Sequence, residues 1–572
     1  MVRLPSRAWR DALIALLLAV AIGAAQVWRG WADLSALRLP DSDDMMRLQQ
    51  IRDWLGGQRF GDVAQYRLGL SGVAMHWSRL DDLIPAAIIR ELAPLAGRHW
   101  AEVCAVIAWP TILLAAAIWL IGQIAETVGG NEAGWRAMIL ALAAHPASSL
   151  FVPGRIDHHN LQMVMILVVA LVLVQPATFR CGIAAGIAAG LSFVVGMETA
   201  PLLAAATGLI VIEWIWRGNE SQRRRLLGFG LGLGGATAAG ALFFSTGDWG
   251  MPACDGFTAL VARAAGTIAA LTTVIGMTRS SSARWRALIA TMGGSVLLYT
   301  MIVTAPQCLS PYGNVDPLLR HLWLSRVGEA IPLAAASPVL SISYAGLMIA
   351  GIVAGAWLTL RTRSRGWGTL LALQLFALAV TFVQIRGAYP GALLALPALA
   401  SVIAIATRHG RVALAASWIA ATGIFYPLAA AALPAPPAPA KTAGGDCAST
   451  ALMAALNTAP VGLVMAPIDT GGPAIATTHH RLVAGAYHRN NPGNLAMYRF
   501  YLGTPGHALS EARRLKLDYV IACDGLGIRP PSTSLGAMLA GGRNPDWLKP
   551  ISRSPDGATL YRVRPASGPP AR

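Results

Sequence analysis

The chain has 572 residues, 55% of them hydrophobic and only 13% charged, with a mean hydropathy of +0.53. A water-soluble protein of this length needs a far more charged surface, so lipid must cover much of it. The formal net charge of +17 does not point to a nucleic-acid partner, because the arginines sit in short loops between apolar runs, where the positive-inside rule puts them.

Apolar runs of about 17 to 25 residues, each long enough to cross a hydrocarbon core of about 30 Å, recur from Asp11 to Pro434. They predict a mainly α, polytopic membrane protein with about thirteen spans. These fall at residues 11–29, 101–122, 136–152, 161–175, 181–198, 200–216, 227–244, 257–277, 286–305, 339–360, 367–385, 388–406 and 411–433. Alternate loops are basic: Arg3, Arg7 and Arg10; Arg217 with Arg223, Arg224 and Arg225; Arg279, Arg284 and Arg286; Arg361, Arg363 and Arg365; Arg408 and Arg411. The intervening loops carry acids, between residues 41 and 82 and at Asp157, Asp248, Asp255, Asp316 and Glu329. This asymmetry puts the N-terminus in the cytoplasm, and an odd number of spans puts the C-terminus outside. If the first span were instead a cleaved signal peptide, the later loops would keep their sides. Short loops and high Ala, Gly and Arg content fit a bacterial inner membrane, with the C-terminal part in the periplasm.

Three regions follow. Residues 1–433 form the membrane domain, with a long first outer loop at 30–100 that is too long for a simple connection. Residues 434–440 (PAPPAPA) form a stiff linker. Residues 441–572 form a small soluble α/β domain, with strand-like runs at 461–467 and 519–522 and helical stretches at 495–501 and 508–515. Cys447 and Cys523 both fall in this domain, and Cys254 and Cys308 in outer loops. Either pair could be a disulfide in an oxidising compartment, or all four could be free thiols.

The first outer loop opens Pro40-Asp41-Ser42-Asp43-Asp44-Met45-Met46-Arg47. Met45, Leu48, Ile51 and Leu55 recur at helical spacing, predicting a helix with one face on the membrane surface. The aspartates would stand at its N-terminus, where capping alone can account for them. Against a bilayer face, however, carboxylates are costly unless they hold a cation or face a polar cavity.

Further on, Pro153-Gly154-Arg155-Ile156-Asp157-His158-His159-Asn160 is a short turn after a helix break. An extended or turning backbone there could aim Asp157 and His159 at one divalent ion, Mn²⁺ or Mg²⁺, the imidazole favouring Mn²⁺. A polar turn capping two helices is the plainer alternative. His76-Trp77-Ser78-Arg79 offers an aromatic and basic contact for a lipid phosphate or sugar, although Trp is common at membrane interfaces. Glu329 is a lone acid in an apolar stretch, with Arg320 and Arg326 as nearby partners. Arg386 stands on the side that the inside rule leaves poor in cations, which invites a phosphate or a structural acid. In the outer domain, Thr478-His479-His480-Arg481 and Tyr487-His488-Arg489-Asn490 could contact donor or acceptor, or form solvated surface.

In this order and on this face, these residues resemble the GT-C membrane glycosyltransferases that use polyprenyl-linked sugars, above all the catalytic subunit of oligosaccharyltransferase. That family has thirteen spans, a catalytic aspartate in the first outer loop and an outer C-terminal domain. Asp43 is similar to that aspartate, with Asp44 beside it. Asp157-His158-His159 resembles the Asp-His-His form of the family's second acidic motif, in which the aspartate and second histidine bind metal. Val327-Gly328-Glu329 looks like the context of an acceptor-binding glutamate. Arg386 is similar to an arginine that approaches the donor phosphate.

The resemblance thus implies Asp43 and Asp44 as catalytic, and Asp43, Asp157 and His159 as metal ligands. Arg386, His158, Arg155, His76 and Arg79 would meet the donor phosphate or lipid, and Glu329 and Trp77 the acceptor. Direct displacement would invert the anomeric centre. The family's Trp-Trp-Asp acceptor motif is missing, Trp547 being the only tryptophan of the C-terminal domain. The acceptor is therefore open between protein, lipid and glycan. Three rivals remain: a single-sugar transferase modifying a lipid or envelope polysaccharide, a transporter or flippase of envelope precursors, and a non-catalytic scaffold.

Overall fold

The computed structural model describes residues 8–279, 282–310, 312, 314–434 and 446–564; residues 435–440 of the expected linker and Arg3 and Arg7 lie outside these. The chain divides into two compact units. One comprises Met1–Arg38, His76–Gly313 and Gly328–Ala435, the other Leu39–Met75, Asn314–Val327 and Pro436–Arg572.

The first unit is an assembly of apolar helices. Among the described residues, nine helices are long and apolar enough to cross a membrane, or ten if the bent pair Arg411–Ala421 and Phe425–Ala431 is one span. The expected thirteen therefore overcounts by that standard. The runs at 161–175 and 181–198 become helices His159–Val174 and Phe179–Val195, of 16 and 17 residues, about 24 to 26 Å at 1.5 Å per residue. The expected span 136–152 is no continuous helix. Its helix is Asn131–Ala141, and a short 3-10 turn follows at Ala147–Phe151. Pro146 and Pro153 supply no N–H to continue a helical ladder.

Small residues let the helices around the site approach closely. A Cβ on Gly182 or Gly186 of Phe179–Val195 would strike the backbone of Arg225 or Phe229 in the Glu220–Phe243 helix. A Cβ on Gly228 or Gly232 would strike Phe179 or Ile183 in return. The two backbones are thus in contact, which fixes where Phe179–Val195 delivers the loop that follows it. At the opposite end of these helices Glu213 accepts hydrogen bonds from Arg225 and Arg365. Arg365 also reaches the carbonyls of Leu173 and Gln175.

The second unit carries a five-stranded sheet in the order Arg481–Leu482, Leu463–Met465, Tyr519–Ala522, Thr559–Val563, Leu548–Arg553. The first three strands are parallel and the last two pair antiparallel. Helices Thr450–Thr458, Asn491–Leu502 and Pro505–Leu515 accompany it, so the α/β expectation for this region is met. Cys447 and Cys523 are bonded, as are Cys254 and Cys308 in the first unit.

The predicted helix of the first outer loop exists as Ser42–Leu55, but its apolar face does not lie on a membrane surface. Met45, Met46, Leu48 and Ile51 are buried, and the helix packs against Gly471–Thr477 of the same unit. Tyr487 donates its hydroxyl to the Ser42 carbonyl at 3.1 Å, and Arg52 reaches the Ala476 carbonyl at 2.8 Å. The Ser42–Leu55 helix is thereby an integral layer of the second unit, to which residues 39–75 of the loop belong.

Candidate active site

The turns that carry His76, Asp157–His159 and Glu198 meet in the first unit, and the Arg386–Glu329 pair stands near enough for the Arg386 charge to act on His159. His158 precedes the His159–Val174 helix. Its Nδ1 lies 2.7 Å from Asp157 Oδ1, and its Nε2 lies 3.1 Å from Glu198 Oε1. His159 Nε2 lies 3.3 Å from Asp157 Oδ2. One turn along, Gln162 donates its Nε2 amide to Glu198 Oε2 at 2.8 Å. The Asn160 amide closes the turn on the Arg155 carbonyl at 2.9 Å.

His76 stacks beside Trp77 with ring centroids 4.7 Å apart and stands 6.0 Å from the His158 ring. Trp77 is only 1% exposed and forms the apolar backing of the two histidines. Arg79 is equally buried, in an ion pair with Asp82 at 3.2 Å. Arg386 forms an ion pair with Glu329, Nε to Oε2 3.2 Å, and the Tyr389 hydroxyl donates to Glu329 Oε1 at 3.0 Å. Glu329 is thus paired with Arg386 rather than with Arg320 or Arg326. The charges acting on His159 include those of Asp157, His158, Arg386 and Glu198.

Electrostatics follow from this packing. Burial alone would lower the His158 pKa, but the carboxylates of Asp157 and Glu198 outweigh it and raise the value to about 10. Burial pushes Glu198 the other way, and the His158, His159 and His76 charges overcome it, holding the carboxyl well below its usual range.

His76, His158 and Glu198 bring one potential metal-ligating atom each within 4.8 Å of one another. Asp157 and His159 do so as a pair at 3.3 Å, the separation of two ligands on a tetrahedral ion with bonds of about 2.0 to 2.1 Å. The donor set fits a divalent metal. Asp43 and Asp44 belong to the second unit, where Asp41, not Asp43, caps the Ser42–Leu55 helix by accepting from the Asp43 N–H at 3.1 Å. Asp44 is fully buried.

Glu198 and Gln162 are absent from the sequence-based set. Glu198 is a lone acid in a turn between two apolar helices, and that placement was the available signal. In the second unit His480 is a core residue, neither surface nor contact point. Its Nδ1 accepts from the Gly462 N–H at 3.2 Å, its Nε2–H donates to the Leu456 carbonyl at 2.8 Å, and it is 1% exposed. Arg489 and Asn490 are likewise spent on the carbonyls of Met75 and Val483.

A polytopic helical membrane unit with a terminal-end cluster of histidines and acids, together with a small α/β unit, defines the class. No protein-family profile matches the sequence, and no curated protein matches it. Among solved structures, the chain is similar to the archaeal oligosaccharyltransferase AglB from Archaeoglobus fulgidus in complex with an inhibitory peptide and a dolichol-phosphate. The TM-score is 0.63 at 14% identity, covering 99% of this chain and 75% of that one. The Archaeoglobus fulgidus oligosaccharyltransferase in complex with Zn and sulfate gives 0.59 at 15% identity, covering 97% and 74%. The form tethered to an acceptor peptide containing the NVT sequon gives 0.60 at 16% identity, covering 98% and 75%. The chain has the fold of these oligosaccharyltransferases, as the Asp-His-His resemblance implied.

Proposed function

We propose that this protein is a membrane glycosyltransferase of the GT-C type. In this reading it moves a sugar or oligosaccharide from a polyprenyl-phosphate or polyprenyl-pyrophosphate donor to an acceptor on the outer face of the membrane, with inversion. The single observation that carries the reading is the Asp157-His158-His159 turn with Arg386 at the same end of an oligosaccharyltransferase-like fold. The similar oligosaccharyltransferase is seen with dolichol-phosphate and with an acceptor peptide, which supports the same substrate classes here. Residues 1–433 would be the membrane part and 441–572 the periplasmic part of a bacterial inner-membrane protein. Two disulfides, one in the loops flanking the Ala259–Met277 and Ala283–Thr304 helices and one in the second unit, agree with an oxidising outer side.

The chemical problem is a leaving group that gathers negative charge on phosphate oxygens. Arg386 would stabilise that charge electrostatically. A divalent ion, when bound by Asp157 and His159, supplies Lewis-acid stabilisation of the same oxygens. Asp43 or Asp44 would accept the proton that the acceptor loses on attack. Reconstituted protein supplied with a synthetic polyprenyl-pyrophosphate sugar should convert donor to a product whose mass identifies the acceptor and the number of sugars moved. Asp43→Ala and Asp157→Ala should abolish conversion without loss of membrane insertion. Wild-type turnover by both variants would remove the assignment, and donor movement across the bilayer without bond cleavage would make the chain a flippase.

A further inference from the structure

We propose that His76, His158 and Glu198 form a second divalent-metal site of the Zn²⁺ class, separate from the ion assigned to Asp157 and His159. The site stands on geometry within the first unit. His158 turns Nε2 toward Glu198 because Asp157 takes its Nδ1 at 2.7 Å. A carboxylate on the far nitrogen is how ligating histidines are oriented and made more basic. Gln162 holds Glu198 Oε2, which leaves Oε1 facing the histidines. The 3.1 Å between His158 Nε2 and Glu198 Oε1 is close to the edge of about 3.3 Å expected for a tetrahedral Zn²⁺ shell. His76 completes the set within 4.8 Å.

The backbone is also shaped for this cluster. At Gly196 a Cβ would come within 2.5 Å of Glu198 Oε2 and 3.1 Å of both Gln162 Nε2 and the His158 ring. No side chain fits there while the three groups keep their places.

Two imidazoles and one carboxylate favour Zn²⁺ or a similar borderline ion over Mg²⁺ or Ca²⁺, which prefer all-oxygen shells. Three protein ligands leave a position for an oxygen ligand. A phosphate seated directly on His76 and His158, as the sequence suggested, would have to share the space with the Glu198 carboxylate, and like charges repel. A cation satisfies all three groups.

The test does not depend on glycosyl transfer. The full chain in nanodiscs, stripped by chelation, is reloaded with Co²⁺ alone and examined by elemental analysis and visible absorption. Wild type should bind two ions per chain. Glu198→Gln and His76→Ala should each lose one, whereas Asp43→Ala keeps that ion. Gln162→Leu, which frees Glu198 Oε2, should weaken it about tenfold. His76→Cys should give a thiolate-to-Co²⁺ charge-transfer band in the near ultraviolet, a direct signature of ligation that does not require loss of binding. Unchanged ion content and spectra in Glu198→Gln and His76→Ala, or no charge-transfer band in His76→Cys, would overturn the proposal. A single ion lost equally in His159→Ala and Glu198→Gln would also overturn it, by merging the two sites, and would leave the glycosyltransferase reading standing.

Discussion

Arg386 holds Glu329 at 3.2 Å, and Tyr389 takes the other oxygen of the same carboxylate at 3.0 Å. The two residues that the sequence divided between donor and acceptor are therefore one unit, in which the cation is countered before any phosphate arrives. Residues sharing one ion pair act non-additively. Arg386→Ala should slow transfer about 100-fold, the usual loss for removing one group that stabilises developing charge. Glu329→Gln should slow it less, by misplacing the guanidinium. The double variant should be no slower than Arg386→Ala. Initial rates with saturating donor measure this, and effects that multiply would show the pair to be uncoupled.

Gly196→Ala tests the packing of the same end of the unit. Gly196 has an extended backbone, φ 177°, which any residue can adopt, so an added methyl acts through contact alone. Its nearest neighbour is Glu198 Oε2, and the carboxylate must move off Gln162 or off His158. The expected result is a loss of transfer and of Co²⁺ affinity of about tenfold or more, with little change in melting temperature. Co²⁺ binding equal to wild type would mean that the Glu198 loop tolerates displacement.

Much of this arrangement was legible from the chain. Asp157-His158-His159 declared itself because three polar residues at a break between apolar runs exceed what capping needs, and both cysteine pairs that form were already matched by region. Glu198 escaped because one acid has no periodicity, and its meaning depends on Gln162, 36 residues earlier in the chain. The Met45, Leu48 and Ile51 stripe predicted a helix with an apolar face. Periodicity says that such a face is covered, not by what, and the cover is Gly471–Thr477. His480 looked solvated because its neighbours are polar, yet the Leu456 carbonyl that it satisfies lies in the Thr450–Thr458 helix, 24 residues earlier.

Tyr498 gives the second unit a defined alkaline response. Burial is the main cause that raises its pKa, Asp469 adds to it and Arg326 opposes it, to a value of about 12. An unfolded tyrosine ionises near 10. The contribution of the neutral phenol is therefore fully present below about pH 10 and lost as the pH rises toward 12, by about 3 kcal/mol at most. Tyr498→Phe should remove that loss, so the variant's stability stays flatter above pH 10. At pH 7 it should cost no more than about 1 kcal/mol, since the hydroxyl contact to the Leu322 carbonyl is long at 3.4 Å. Denaturant melts across pH 7 to 12 (bracketing both values) measure it, and parallel profiles for the two proteins would contradict the assignment.

Glu213 anchors the end of the first unit remote from the candidate site. It accepts from Arg225 and from Arg365, whose guanidinium also reaches Leu173 and Gln175. One carboxylate thereby ties together the ends of four helices: His159–Val174, Ala200–Arg217, Glu220–Phe243 and Arg365–Val383. Arg225 has a side chain only 1% exposed, so Glu213→Gln leaves a buried cation without its counter-charge. Breaking such a pair typically costs about 3 to 5 kcal/mol, and hydrocarbon around the helices makes the isolated charge no cheaper. Arg365→Lys should not preserve the tie, because a single ammonium lacks the planar fork that serves the carboxylate and two carbonyls together. Thermal unfolding of the purified chain should show both losses, while the folded fraction keeps its Co²⁺ spectrum, since the metal-ligating groups stand at the other helix ends. A Glu213→Gln protein as stable as wild type would mean that the two arginines find water or lipid phosphate instead, and that their role is the charge asymmetry of the loops alone.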